Sequence, residues 1–368
     1  LTLMRIIYRP EIDGLRAIAV FAVIFYHLEF SILGNIILKG GFIGVDIFFV
    51  ISGYLISAII LKELETKGSF SFLNFYERRA RRLLPVLFFV ICATIPFAYF
   101  YLISASIIDY SKSILYSIFF TSNFYFLLTK QLYADVSSLL KPFLHTWSLS
   151  VEEQFYIILP IIIVISYKFI KKNLFILLIF LTLFSFFSSI VLESIHPSLS
   201  FYLIFSRGWE LLFGVILSIL ENKYGRQKYQ KFSNFFILLG FLLLFQSLFF
   251  FHKNMSHISF YLLFPIIGTS LIIWYSNNNN FFTKILSSKI FVGLGLISYS
   301  LYLWHYPIFA FARIGNYFQN NFIFISLIIL ITIILSILSY FYIEKPFRNK
   351  EKISFKIFIN FIVIFFIF

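Results

Sequence analysis

Apolar residues run along this chain in blocks of about twenty, parted by short polar stretches. A helix needs a block of that length to cross the roughly 30 Å hydrocarbon core of a bilayer. The blocks predict spans near 15–33, 43–61, 84–103, 151–167, 173–192, 203–221, 234–251, 258–275, 290–312 and 322–343. A further stretch, 113–128, is broken by Thr121, Ser122 and Asn123 and is expected to re-enter or lie in the interface. The closing "IFINFIVIFFIF" is too short to span and reads as the start of a truncated eleventh helix. The expected fold is an all-α polytopic membrane bundle of about ten transmembrane helices over 1–349. A basic linker and the unfinished span follow over 350–368.

Composition agrees with that pattern. Of 368 residues, 60% are hydrophobic and only 12% charged, and the mean hydropathy is +0.93. Soluble domains carry about a quarter charged residues, so a soluble globule is excluded. The net charge of +14 would suggest a nucleic-acid partner in a soluble chain. Here it is read by position, because Lys and Arg set membrane orientation. With ten spans and a cytoplasmic N-terminus, one side collects Arg5, Arg9 and Arg16, the loop from Lys62 to Arg82, and Lys168, Lys171 and Lys172. The same side holds Lys223, Arg226, Lys228, Lys231, Lys284, Lys289 and the basic tail. That bias favours a cytoplasmic N-terminus and no nucleic-acid partner. The single cysteine, Cys92, rules out a disulfide framework, and the histidines lack metal-ligand spacing, so no metal is expected.

Against this apolar background, charged residues inside the spans are the functional candidates, since each costs roughly 2.5–3.5 kcal/mol at a helix centre. In "DGLRAIAVFAVIFYH", Arg16 and His27 are eleven positions apart, about 16 Å of rise and a net turn of ~20°, so they share one face. Asp13 precedes them as a supporting residue. In "GGFIGVDIFFVISGYL", Gly41, Gly44 and Gly53 allow close helix packing. Asp46 is expected at the depth of His27, where it could fix the imidazole tautomer for general-base work. "FYERRARRLLP" carries Arg78, Arg79, Arg81 and Arg82 as two overlapping RxxR pairs, forks suited to phosphates or to anionic lipid head groups. "HTWSLSVEEQFY" places His145, Trp147, Ser148, Glu152 and Glu153 on the outer side. Alternatively, Ser150 caps a helix there and the acids favour its N-terminus. Arg207 and Glu210 in "RGWELLFG" are spaced to neutralise each other. In "ISYSLYLWHYPIF", beside Tyr302, Pro307 is expected to open the helix next to His305.

These segments together resemble the membrane-bound acyltransferase family 3, the bacterial O-acyltransferases that modify O-antigen lipopolysaccharide and other glycans. The resemblance rests on "YRPEIDGLRAIAV", the Arg16–His27 spacing, "GFIGVDIFFVISGYLI", "FYERRARRLLP", "HTWSLSVEEQFY", "SYSLYLWHYPIF" and "YFYIEKPFRN", in that order over residues 8–349. It implies a multi-pass protein of the bacterial cytoplasmic (inner) membrane that moves an acyl group, usually acetyl, from cytosolic acyl-CoA to a hydroxyl of a cell-surface or lipid-linked glycan. No permanently bound cofactor is implied. On matching positions Arg16 and His27 are the essential Arg/His pair and the RxxR segment serves the donor. His27, Asp46, Glu152, Glu153 and His305 are the expected catalytic group. The "HTWSLSVEEQFY" form is similar to members with an extracytoplasmic SGNH esterase-like domain, which is expected here to be absent or supplied by a separate protein. A flippase for a lipid-linked glycan and a truncated, inactive acyltransferase are the alternatives at this point.

Overall fold

The computed structural model describes residues 8–29, 31–32, 35–129, 137–170, 173–225, 232–252, 255, 258–277, 279–317 and 322–367. Arg5, Lys171, Lys172, Arg226, Lys228 and Lys231, all used in the orientation count, lie outside the described residues.

Helix α1 (Pro10–Leu28) starts with proline at its first position, where the missing N–H costs nothing, and ends at Glu29 in the left-handed region. A two-residue antiparallel ladder, β1 (Ser31–Ile32) with β2 (Asn35–Ile36), follows. Helix α2 (Gly44–Lys67) stops at Gly68, whose φ of 70° suits glycine. Helix α3 (Phe72–Tyr101) begins where the Ser71 hydroxyl accepts from the Asn74 N–H. The chain continues through α4 (Ser104–Ile118), α5 (Ser122–Leu128), α6 (Thr146–Phe169), α7 (Leu174–Ile195), α8 (Pro197–Tyr202) and α9 (Ile204–Tyr224). It then forms α10 (Ser233–Phe250), α11 (Ile258–Tyr261), α12 (Leu263–Tyr275), α13 (Phe281–Leu286), α14 (Lys289–Leu296) and α15 (Ser298–Ile314). Helix α16 (Phe322–Ser339) passes through a π-helical turn, Tyr340–Glu344, into α17 (Lys345–Arg348), and α18 (Phe355–Ile367) closes the described chain.

The fold is all-α, and helices occupy each of the ten predicted apolar blocks. Among the described residues, seven helical segments are long and apolar enough to cross a bilayer: 41–67, 72–101, 146–169, 174–195, 197–224, 233–250 and 323–348. Helix α1 carries Glu11, Asp13 and Arg16 in its first two turns. The apolar helix at 259–275 is shorter. The predicted span 290–312 is instead two helices that break at Ile297, ten residues before Pro307, and α15 runs unbroken through that proline. The expectation that Pro307 opens the helix is therefore corrected. The break belongs to a crossing in which a Cβ on Gly295 would run into the Asp13 carbonyl, and one on Gly14 into that of Leu286. The interrupted segment 113–128 divides into α4 and α5 on either side of Phe119–Thr121, as its polar residues suggested.

Close helix contacts centre on α2. Gly41 and Gly44 meet the Ala22 and Ala19 carbonyls of α1, while Gly53 meets Leu211 and Gly214 of α9 meets Val50. Outward side chains on α7, α10 and α16, such as Phe180, Phe184, Leu242 and Leu330, are exposed and apolar, as lipid contact requires. The described tail packs on the bundle: Phe365 stacks on Phe88 of α3 with ring centroids 3.7 Å apart.

Candidate active site

Five helices line a cavity of about 90 Å3. From α1 comes Arg16, from α2 Ser52, from α3 Arg79 and Arg82, from α6 Ser148, Glu152 and Tyr156, and from α15 Ser298, Tyr299 and Tyr302. The helical period explains the arrangement. Ser148, Glu152 and Tyr156 repeat at four-residue steps on α6, and Ser298 and Tyr302 do so on α15, so each set shares a face. Arg79 and Arg82 are three apart on one face of α3. Three guanidinium groups against one carboxylate give the lining of one end a basic character.

Each arginine is held differently. Arg16 pairs with Asp13 at 3.2 Å, and Asp13 also accepts from the Tyr8 hydroxyl at 2.8 Å. Arg79 grips Glu153 with Nη2 at 2.6 Å and Nε at 3.1 Å, and its guanidinium lies 3.8 Å from the Tyr156 ring centroid. The Arg82 Nε is buried and has no hydrogen-bond partner among the described residues. Glu152 accepts from Ser52 at 2.7 Å.

At the other end the wall is Tyr302, whose hydroxyl lies 2.6 Å from the Ser148 Oγ and donates to the His145 carbonyl at 2.8 Å. Beyond that wall three buried histidines meet. The His27 Nδ1 is 3.2 Å from the His305 Nε2. The His145 ring lies 5.4 Å from that of His305 and stacks on Tyr306 at 5.2 Å. Both His145 ring nitrogens are buried without a hydrogen-bond partner among the described residues. Arg313, one turn past Phe309 on α15, donates to the His27 carbonyl. Arg16 and His27 on α1, Ser298 and His305 on α15, and Tyr156 and His145 on α6 each pair an arginine-end residue with a histidine-end residue. Three helices thus span the same basic-to-imidazole axis, α6 in the reverse direction.

The structure redistributes several residues that the sequence grouped. Asp46 does not reach His27. It binds Arg207 at 2.5 Å, with Glu210 on the other side of that guanidinium at 3.1 Å. The reason is the helix period: Asp46 is seven residues from Gly53 and shares the face packed on α9, while Gly41 and Gly44 turn another face to α1. The expected Arg207–Glu210 pair is present, and Trp147 packs on this cluster, its ring 5.7 Å from the Arg207 guanidinium. Glu152 and Glu153 are not beside His145 either. Two turns of α6 carry them to the level of Arg79, so neither carboxylate orients an imidazole. The four arginines of α3 do not form one patch. Arg81 is buried against Glu77 and the Ile353 carbonyl, under the Phe358 ring, and Arg78 is half exposed, 3.9 Å from Glu63.

Sequence reasoning passed over Ser52, Tyr156 and Tyr299 in the cavity and Tyr306 and Arg313 at the histidines. The four-residue spacing from Ser148 through Glu152 was the available signal for Tyr156. The others sit in apolar runs with no pattern of their own. Among the described residues no group of three or more His, Cys, Asp or Glu is arranged to hold a metal ion.

Comparison with known proteins decides the family. A family profile described as an acyltransferase domain matches residues 9–341, nearly the whole chain. The chain belongs to the membrane-bound acyltransferase family 3. Within this family, the O-acetyltransferase OatA of Staphylococcus aureus (strain NCTC 8325 / PS 47) is 33% identical over 361 residues, covering 93% of this chain and 58% of OatA. SAS0844 of Staphylococcus aureus strain MSSA476, which also carries an O-acetyltransferase name, is 36% identical over 362 residues with the same coverage. The acyltransferase chain described here therefore spans less than two thirds of the length of these relatives. No solved structure matches it.

Proposed function

We propose that this chain is the membrane-embedded unit of an O-acyltransferase that moves an acetyl group from cytosolic acyl-CoA to a hydroxyl of a cell-surface or lipid-linked glycan. The unit is taken as residues 1–349, ten helices with the N-terminus in the cytoplasm, in the bacterial inner membrane. Family membership and the O-acetyltransferase names of the relatives support the reaction class. The observation that carries the mechanism is the cavity with arginines at one end and the His27–His305 pair behind Tyr302 at the other.

In this reading the donor enters at Arg16, Arg79 and Arg82, where guanidinium forks bind its phosphates. The thioester arm lies along the Ser52, Ser148 and Tyr302 wall, and a small movement of Tyr302 exposes its carbonyl to the histidines. His27 takes the proton of the acceptor hydroxyl as that oxygen attacks the thioester carbon. The C–S bond then breaks, and the departing CoA sulfur takes the proton from His27. The acylated hydroxyl belongs to the acceptor or to a separate SGNH-type protein that passes the group onward.

A positioned general base contributes about 10²–10⁴-fold. His27→Ala is expected to lower acyl-CoA-dependent acetylation by at least the lower figure while the protein remains in the membrane. Mass spectrometry of glycans from cells carrying each form reads the acetyl increment. Near-normal acetylation with His27→Ala would sink the assignment of the base.

A further inference from the structure

Three imidazoles meet behind Tyr302, and two of them are tied to each other. The His305 Nδ1 lies 3.2 Å from the Leu301 carbonyl oxygen, and its Nε2 lies 3.2 Å from the His27 Nδ1. His145 differs from both. It is wholly buried, and neither ring nitrogen has a hydrogen-bond partner among the described residues. Its ring contacts are with Phe143, Tyr302, His305 and Tyr306, at centroid distances of 6.5, 5.3, 5.4 and 5.2 Å. A buried polar atom without a partner costs free energy that an apolar side chain of similar size would avoid. Such a group calls for a partner from outside the fold. With no anion beside it the imidazole is neutral, and it offers one N–H and one lone pair.

Acyl transfer to a hydroxyl passes through a tetrahedral intermediate whose negative charge gathers on the former carbonyl oxygen. A donor placed at that oxygen is a large source of catalysis. Other donors beside the histidines already have acceptors. The Tyr302 hydroxyl donates to the His145 carbonyl at 2.8 Å and the Tyr306 hydroxyl to the Ser138 carbonyl at 3.0 Å. Arg313 donates to the His27 carbonyl and lies 3.9 Å from Glu29. His27 itself is occupied with the hydroxyl proton at that moment. We propose that His145 is the oxyanion donor of the transfer: its ring N–H binds the acyl oxygen as the acceptor hydroxyl attacks the thioester carbon.

In this step His27 takes the hydroxyl proton, the new C–O bond forms, and the carbonyl π pair moves onto the acyl oxygen, where the His145 N–H meets it. That pair then re-forms the carbonyl, the C–S bond breaks, and the CoA sulfur takes the proton from His27. His145 keeps its own proton throughout, as a neutral imidazole acting as an electrophile does. Its place in the chain suits the role. His145 immediately precedes α6, and Ser148, three residues on, has its Oγ 2.6 Å from the Tyr302 hydroxyl. The donor therefore sits directly behind the side chain whose movement admits the thioester. The inference rests on the acyl-transfer reading of the site.

The test joins stability, kinetics and spectroscopy on the full chain in lipid. In His145→Leu the unfolding midpoint is expected to hold or rise, because two unpartnered polar atoms are removed. In the same variant kcat for acyl-CoA-dependent acetylation falls about 10²–10³-fold, the loss typical of a missing oxyanion donor, with the KM for acyl-CoA nearly unchanged. His145→Gln keeps a side-chain N–H donor and recovers most of that loss. A His145→Leu protein that unfolds at lower temperature, with no recovery in His145→Gln, makes His145 a packing residue or the holder of a buried water and overturns the proposal. So does a His145→Leu protein that retains kcat. A second readout needs no turnover: the infrared carbonyl stretch of acetyl-CoA labelled with 13C at the thioester carbon, bound to His27→Ala protein. The stretch is expected at lower wavenumber with His145 present than with His145→Leu added. Binding without that difference overturns the proposal alone, whereas failure of acetyl-CoA to bind the unmodified chain overturns the acyl-transfer reading and the proposal with it.

Discussion

Arg9 and the cavity arginine Arg82 have opposite characters. Arg9, just before α1, spends its donors on four partners. Its Nε binds Glu11 at 2.8 Å, one Nη binds the Tyr54 hydroxyl at 2.6 Å with Glu221 at 3.4 Å, and the other donates to the Ile273 carbonyl at 2.5 Å. Tyr54 in turn donates to Glu221 at 2.7 Å, so α1, α2, α9 and α12 are tied at one point. Arg16 and Arg79 each keep a carboxylate partner while lining the cavity, and beside them the buried Arg82 Nε has no hydrogen-bond partner among the described residues. A guanidinium whose donors are matched by the fold is a structural clamp. One left short of acceptors beside a cavity is suited to a ligand that brings them, such as a phosphate.

The largest expected effect lies on the clamp. Arg9→Met takes one buried cation away from Glu11 and Glu221, and breaking a buried pair costs about 3–5 kcal/mol. Thermal unfolding in detergent should show that loss, with the donor KM of the surviving folded protein unaltered. A stable Arg9→Met protein with weakened donor binding would move Arg9 from the clamp to the donor site. Arg82→Met comes next. It removes no partnered hydrogen bond, so thermal stability should hold or rise slightly, whereas a lost charge-assisted bond to phosphate is worth about 1.5–3 kcal/mol. Donor affinity, measured by acyl-CoA titration, is therefore expected to fall roughly 10–100-fold. Destabilisation of the Arg9 kind with unchanged donor affinity would erase the distinction between Arg9 and Arg82.

Much of the bundle was legible in the chain because the bilayer imposes one simple rule, an apolar block of helix length, and every predicted block holds a helix. The single-face placement of Arg16 and His27 was also readable from their spacing. What failed were inferences from depth alone. Asp46 was matched to His27 by its distance along the helix, but its face was set by Gly53 and Gly214, whose close approach to neighbouring carbonyls turns it to Arg207. Glu152 and Glu153 were assigned to the histidine level by their nearness to His145 in sequence, yet two turns of helix separate the levels. The His27–His305 contact, 278 residues apart in sequence, had no local signal. Residues that act together across helices are revealed only when period and packing are combined, as the cavity-lining spacing of Ser148, Glu152 and Tyr156 shows in retrospect.

The smallest effect gives the sharpest control. Sequence spacing treats Arg78 and Arg82 alike, each a member of an RxxR pair, and a purely compositional donor site would use both. In the fold Arg78 is 48% exposed in its side chain and, among the described residues, its ion pair is with Glu63 at 3.9 Å, while Arg82 lines the cavity. Exposed pairs of this kind contribute about 0–1 kcal/mol, and surface substitutions usually stay within ~0.5 kcal/mol. Arg78→Ala should therefore change both the unfolding midpoint and the donor KM by less than about threefold-equivalent energies, in the same assays that read Arg82→Met. A tenfold loss of donor affinity in Arg78→Ala would mean that phosphate recognition extends over the whole basic face of α3. The cavity would then be one part of the donor site, and the count of matched donors would no longer separate clamp from binding residue.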